Sequence, residues 1–101
     1  MNASLKNDTE TAVIRLTGRF DFSRHREFKS CYESALKEPD LRRIDVDFEG
    51  VDCLDSSALG MLLLLKERAD GRALPVSLVN CRGVVKEILE VANFGKMFCL
   101  R

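Results

Sequence analysis

The apolar positions of this chain change period several times, and each change marks an element. From Thr11 to Phe20, the residues Val13, Ile14, Leu16 and Phe20 supply apolar or β-favouring positions. Arg15, Thr17 and Arg19 alternate with them, which predicts a strand. Gly18 interrupts it and marks a bulge or a close backbone approach. Asp21 ends it, and residues 4–9 predict a short edge strand ahead of it. The period then turns helical. Phe28, Cys31, Ala35 and Leu36 fall near one face with Tyr32 beside them, which predicts a helix over 24–38. Ser23 is placed to cap it, and Pro39-Asp40 to stop it.

Arg42 to Phe48 alternates Ile44, Val46 and Phe48 against Arg43, Asp45 and Asp47. This predicts a half-buried strand with both aspartates facing solvent. Residues 49–54 read as a connection. A second helix is predicted from the Asp55-Ser56-Ser57 turn to about Ala69, ended by Asp70-Gly71. At about 100° per residue, Ala58, Met61, Leu62, Leu65 and Ala69 gather into one arc that should face the sheet. Ser57, Gly60 and Leu64 lie on the far side, with Ser56 and Leu63 nearby. Leu74 to Val79 predicts a further strand. A helix follows from about Gly83 to Asn93, with Val84, Val85, Ile88, Leu89 and Ala92 at core spacing. Asn93-Phe94-Gly95 closes it, and Lys96 to Leu100 predicts a last short strand. The order β-β-α-β-α-β-α-β implies an α/β fold: one domain over 1–101, with a small mixed sheet and helices mainly on one face.

Composition narrows the function classes. Sixteen basic and sixteen acidic residues cancel, so no basic excess points to nucleic acid. The longest apolar run, Met61 to Leu65, is far too short to cross a bilayer, and residues 1–8 lack a signal-peptide core. A cytoplasmic protein without membrane insertion is the expectation. Cys31, Cys53, Cys81 and Cys99 are widely spaced with no C-x-x-C, which predicts buried free thiols rather than a zinc site.

Catalysis is poorly provided for. His25 is the single imidazole and sits in a charged helical stretch, and Ser56 and Ser57 lack a nucleophile elbow. Gly50, Gly60, Gly71 and Gly83 are isolated, so no phosphate-cradling loop is present. The expectation is a protein that is not an enzyme and needs neither metal nor cofactor. The chemistry concentrates instead in Asp55-Ser56-Ser57. Each of these side chains can accept from a free first-turn N–H, so the turn reads as an N-cap. A hydroxyl there can equally carry a phosphate, because the helix N-terminus favours an anion. Leu64 beside the serines and bare Gly60 makes a small apolar docking patch.

Three segments carry a resemblance to bacterial anti-sigma factor antagonists, the stand-alone STAS-domain proteins. Leu16-Thr17-Gly18-Arg19-Phe20-Asp21 resembles the family's first strand end. Ile44-Asp45-Val46-Asp47-Phe48 with Val51 resembles its central strand and turn. Asp55-Ser56-Ser57-Ala58-Leu59-Gly60 resembles its phosphorylation motif, with Ala58 where many members have Gly. The resemblance implies partner switching. An anti-sigma factor with serine-kinase activity would phosphorylate Ser56, and a PP2C-type phosphatase would reverse it. The unphosphorylated chain would capture the anti-sigma factor. Asp21 and Asp55 match acidic positions near the kinase-facing surface, and Ser57 matches the motif's second hydroxyl; Gly60, Leu63 and Leu64, outward by helical spacing, join them in the expected partner face. The alternative is a non-switching STAS subunit of a transport or lipid-trafficking complex, in which Ser56 is only a cap.

Overall fold

The computed structural model describes residues 3–7 and 10–101. Strand β1 (Ala3–Asn7) is followed by β2 (Thr11–Phe20), a 3-10 turn (Phe22–Arg24) and α1 (His25–Leu36). Then come β3 (Arg43–Leu54), α2 (Ser56–Asp70), β4 (Val76–Val79), α3 (Gly83–Val91), a second 3-10 turn (Phe94–Lys96) and β5 (Cys99–Leu100). The five strands form one sheet in the order β1-β2-β3-β4-β5. β1 runs antiparallel to β2, and the other three pairings are parallel. The expected element order and α/β class are those of the structure. The expected edge strand corresponds to β1, with residues 8 and 9 of that reading outside the described residues.

The topology decides which face is covered. From β2 to β5 each new strand joins the same edge, so right-handed crossovers bring every helix to one face. That face carries Ala12, Ile14 and Leu16 of β2, Ile44, Val46 and Phe48 of β3, and Val76 and Leu78 of β4, all buried. Phe20 packs on Phe28 with ring centroids 5.1 Å apart and on Phe48 at 6.2 Å, joining β2, α1 and β3. The α2 arc sits where its period places it: Ala58, Met61, Leu62, Leu65 and Ala69 are the buried residues of that helix.

Several boundaries differ from expectation. β3 does not stop at Phe48 but continues through the presumed connection to Leu54, pairing Gly50 with Thr17 and Leu54 with Phe20. Two register shifts in the β2–β3 ladder make this possible, one of them at Gly18, whose φ of 79° only glycine adopts freely. Gly50 permits the other close approach. A Cβ there would meet Thr17 Cγ2 at 2.7 Å and the Leu16 carbonyl oxygen at 3.1 Å. Ser23 does not cap α1. Asp21 instead caps the preceding 3-10 turn by accepting from the Ser23 N–H at 3.0 Å. Gly71 follows α2 in ordinary right-handed conformation, and the positive φ that closes the turn falls on Ala73. β4 begins at Val76 rather than Leu74, after Pro75, and α3 ends at Val91.

Asp45 is the clearest correction. It lies on the helix-free face as its alternation predicts, yet it is only 7% exposed. Arginine side chains cover it: Arg43 Nη2 donates to Asp45 Oδ2 at 3.2 Å, and Arg101 Nη2 lies 3.6 Å from Oδ1. Asp47 is half-buried, 3.8 Å from Arg15 Nε, and accepts from Asn80 Nδ2 at 3.0 Å.

The thiols also differ from expectation. All four are free, but Cys31, Cys53 and Cys81 are only half-buried and Cys99 is exposed. Burial, with the Asp47 carboxylate nearby, pushes the Cys81 thiol up to about 11. At pH 8 Cys99 is therefore expected to take up a thiol-specific label well before Cys81. Mass mapping of a time course checks this; equal labelling of the two would contradict the burial of Cys81.

Candidate functional site

The site arises where neighbouring parallel strands end together. Phe20 pairs with Leu54, so the next residues, Asp21 and Asp55, leave the sheet side by side. Each becomes a cap in extended conformation: Asp21 for the 3-10 turn into α1, Asp55 for α2. Asp55 Oδ1 accepts from the Ala58 N–H at 3.0 Å, satisfying one orphan donor of the first turn. Ser56 and Ser57 are thus the first two residues of the helix and not its cap.

Of the three side chains able to cap, Asp55 does so, which leaves the exposed Ser56 hydroxyl out of that role. Ser57 is half-buried one step round the helix. Along the outward side of α2, Ser56 is followed by Gly60, Leu63 and Leu64, all exposed. Nothing lies within 4 Å of where a Gly60 Cβ would stand, so the surface one turn from Ser56 is open. Leu64 leans toward α1 and lines a cleft of about 270 Å³ with His25, Lys29, Tyr32, Glu67 and Arg68. Arg68 Nη1 bridges that cleft to Glu33 at 2.7 Å and holds the Glu33 carboxyl below its usual range.

Asp21 accepts from both the backbone N–H and the hydroxyl of Ser23. The hydroxyl bond is the main cause that holds its carboxyl below the ordinary value; Arg19 and Arg24 add to it. Because the folded value is depressed, whatever stability this contact lends is present above the unfolded pKa near 3.8 and lost as pH falls through the folded one. Ser23→Ala is expected to raise the Asp21 value, read by carboxyl NMR titration; an unchanged midpoint would rule out the Ser23 bond as the cause. Ser23 is thus a donor to the Asp21 cap and not itself a cap, and the short spacing Asp21-Phe22-Ser23 is the sequence signal for this turn.

Among the described residues, no group of three or more His, Cys, Asp and Glu side chains is placed to hold a metal ion. Nor is any described helix long and apolar enough to cross a membrane.

Comparison with known proteins agrees with this architecture. A family model described as "Mlab, STAS domain" matches residues 3–100. A STAS-domain containing protein of Pseudomonas aeruginosa (strain UCBPP-PA14) is 44% identical over 91 residues, covering 90% of this chain and 88% of that protein. The chain belongs to the STAS-domain family. Its fold is that of the anti-sigma factor antagonist SpoIIAA in its unphosphorylated form, with a TM-score of 0.76 at 22% identity over 98% of this chain and 86% of that one. The phosphorylated form of the Bacillus protein matches with a TM-score of 0.75. The murine anion transporter Slc26a9 contains a similar unit: a TM-score of 0.75 at 14% identity, over 93% of this chain but 16% of the transporter.

Proposed function

We propose that this chain is an anti-sigma factor antagonist that works by partner switching, with Ser56 as its phosphorylated residue. The observation that carries the reading is the division of labour at the start of α2. Asp55 caps the helix, and Ser56 stands exposed beside it. In its unphosphorylated state the chain binds an anti-sigma factor with serine-kinase activity through Asp21, Asp55, Ser57, Gly60, Leu63 and Leu64. That kinase, which holds the ATP, transfers phosphate to Ser56, and a PP2C-type phosphatase removes it. The chain itself is then a regulator and not an enzyme, working in the cytoplasm with no cofactor and no nucleic acid of its own.

The switch follows from charge. Phosphate adds about −1.5 to −2 charge next to the Asp55 carboxylate. In a closed interface this brings desolvation and like-charge repulsion, while the helix N-terminus tolerates the anion and the fold stays as it is. Intact-mass measurement after incubation with a cognate serine kinase and ATP tests the reading, followed by phosphopeptide mapping to Ser56.

A second reading is favoured by the description of the family model and by the fold shared with Slc26a9. In it the same α2 face packs permanently in a transport or lipid-trafficking complex, and Ser56 stays unmodified. Absence of phosphate uptake together with constitutive binding to a transporter subunit would select it.

A further inference from the structure

Among the described residues, Phe22 is the one aromatic side chain left in water. Phe20, Phe28, Tyr32, Phe48, Phe94 and Phe98 are buried, whereas Phe22 is 68% exposed. It stands in the 3-10 turn between β2 and α1, a turn that buries none of its residues. A phenyl ring there forgoes the burial that makes such rings valuable to a small core. The turn nonetheless orients it. Asp21 caps the turn by accepting from the Ser23 N–H at 3.0 Å, and the Arg24 N–H donates to the Asp21 carbonyl oxygen at 3.0 Å. Side chains at i and i+3 eclipse in a 3-10 helix, which sets Phe22 over His25. Their rings stack with centroids 5.5 Å apart and planes at 18°. Phe22 is therefore exposed but already ordered, so little rotamer entropy is left to lose on contact.

Its position ties it to the start of α2. Phe20 pairs with Leu54 at the end of the β2–β3 ladder, and Asp21 and Asp55 follow. One residue further along each chain segment come Phe22 and Ser56, both exposed. His25, beneath the Phe22 ring, also lines the α1–α2 cleft with Leu64. The stack thus connects the acidic strand ends to that cleft and belongs to the same outer surface.

The way Ser56 is held explains why an anchor is needed. Ser56 is the first residue of a helix packed on the sheet through Ala58, Met61, Leu62 and Leu65. Its hydroxyl cannot be drawn into a kinase cleft as part of an extended peptide without unpacking α2. A kinase that reaches it must accept the folded surface around it, and Phe22 is the aromatic side chain on that surface. We infer that Phe22 is the anchor by which the serine kinase selects this chain, its ring entering an apolar pocket of the kinase beside the one that receives Ser56. This rests on the reading of Ser56 as the phosphorylated residue and adds the side chain that recognises the partner. A phenyl ring carries no group that assists phosphoryl transfer, so it acts on docking and not on the chemical step.

The probe is a purified serine-kinase anti-sigma factor from the same organism, assayed on the full chain. Phe22→Ala is expected to raise the KM for the chain about tenfold or more. The kcat should be unchanged, because uniform binding is lost while the acceptor hydroxyl is untouched. The Kd for the kinase, titrated without ATP, should rise by a similar factor. Phe22→Leu keeps apolar bulk and should recover part of the loss. Val91→Ala trims a still more exposed aliphatic side chain, 84% exposed on α3, and should leave both constants as in the natural chain. Melting temperatures should stay together, since exposed positions carry little stability. Phosphate on the Phe22→Ala product should still map to Ser56. Equal KM and Kd for Phe22→Ala and the natural chain would overturn the proposal and leave the Ser56 reading standing. So would a fall in kcat at unchanged KM, or an equal loss in Val91→Ala. No phosphate uptake by the natural chain would overturn the Ser56 reading and this inference with it.

Discussion

Leu62→Asp is expected to leave the chain unfolded, while Leu64→Asp, two positions along the same helix, folds and loses its partner. Leu62 is 0% exposed and Leu64 is 46% exposed. Removing the Leu62 side chain alone would cost about 2–5 kcal/mol, because it sits in the layer between α2 and the sheet. Placing a carboxylate there adds the penalty of an unpaired buried charge, on the order of several kcal/mol. A domain of this size has only about 5–15 kcal/mol in hand, so the sum exceeds or exhausts it. Leu64 lines the cleft rim, and a surface substitution there should change stability by less than about 0.5 kcal/mol. Circular dichroism melts of the two variants, with binding to the anti-sigma factor titrated for Leu64→Asp, check both halves. Equal destabilisation would place Leu64 in the core and remove it from the partner face.

The Ser56 series has the second large effect. Ser56→Ala leaves Asp55 to cap the helix, so folding is preserved and kinase-dependent phosphate uptake is lost. Binding is retained, and the variant behaves as a permanently active antagonist. Ser56→Asp places an acid in the first turn, which the helix dipole favours by about 0.3–1 kcal/mol. It should nonetheless weaken partner binding by about 2 kcal/mol through repulsion in a desolvated interface, roughly thirtyfold in Kd. The mimic carries less charge than phosphate, so true phosphorylation should weaken binding further. Calorimetric titration of the three proteins against one anti-sigma factor reads this directly. Phosphate recovered on Ser57 in the Ser56→Ala variant would move the acceptor by one residue.

The periodic parts of this structure were legible in the sequence. The α2 arc is a case: a helix bedded on a sheet buries a stripe, and spacing alone identifies its five residues. What escaped lies where a side chain's fate depends on distant partners. Residues 50–54 join β3 only because β2 shifts register against them at Gly18 and Gly50, which no local pattern announces. Asp45 is buried by Arg43 and Arg101, the second of which arrives from beyond β5. Val84 carries the right spacing for a core position, yet it is 52% exposed, while Val85 beside it is buried. At the site, the Asp-Ser-Ser turn was recognisable, whereas the choice of Asp55 over Ser56 as cap required the backbone.

The parallel ladders also set the pace at which the molecule reaches this state. Thr11 of β2 finds Arg43 of β3, and Ile44 finds Val76, only after a whole intervening helix has been looped out. The entropy of that closure is spent before any ladder bond repays it, which puts folding in the millisecond range or slower rather than in microseconds. The β1–β2 hairpin is local, with Asn7 opposite Ala12, and closes early. It carries one bare edge of β2 until β3 arrives, so a newly made chain is open to mispairing along β2 until Phe48 has met Phe20.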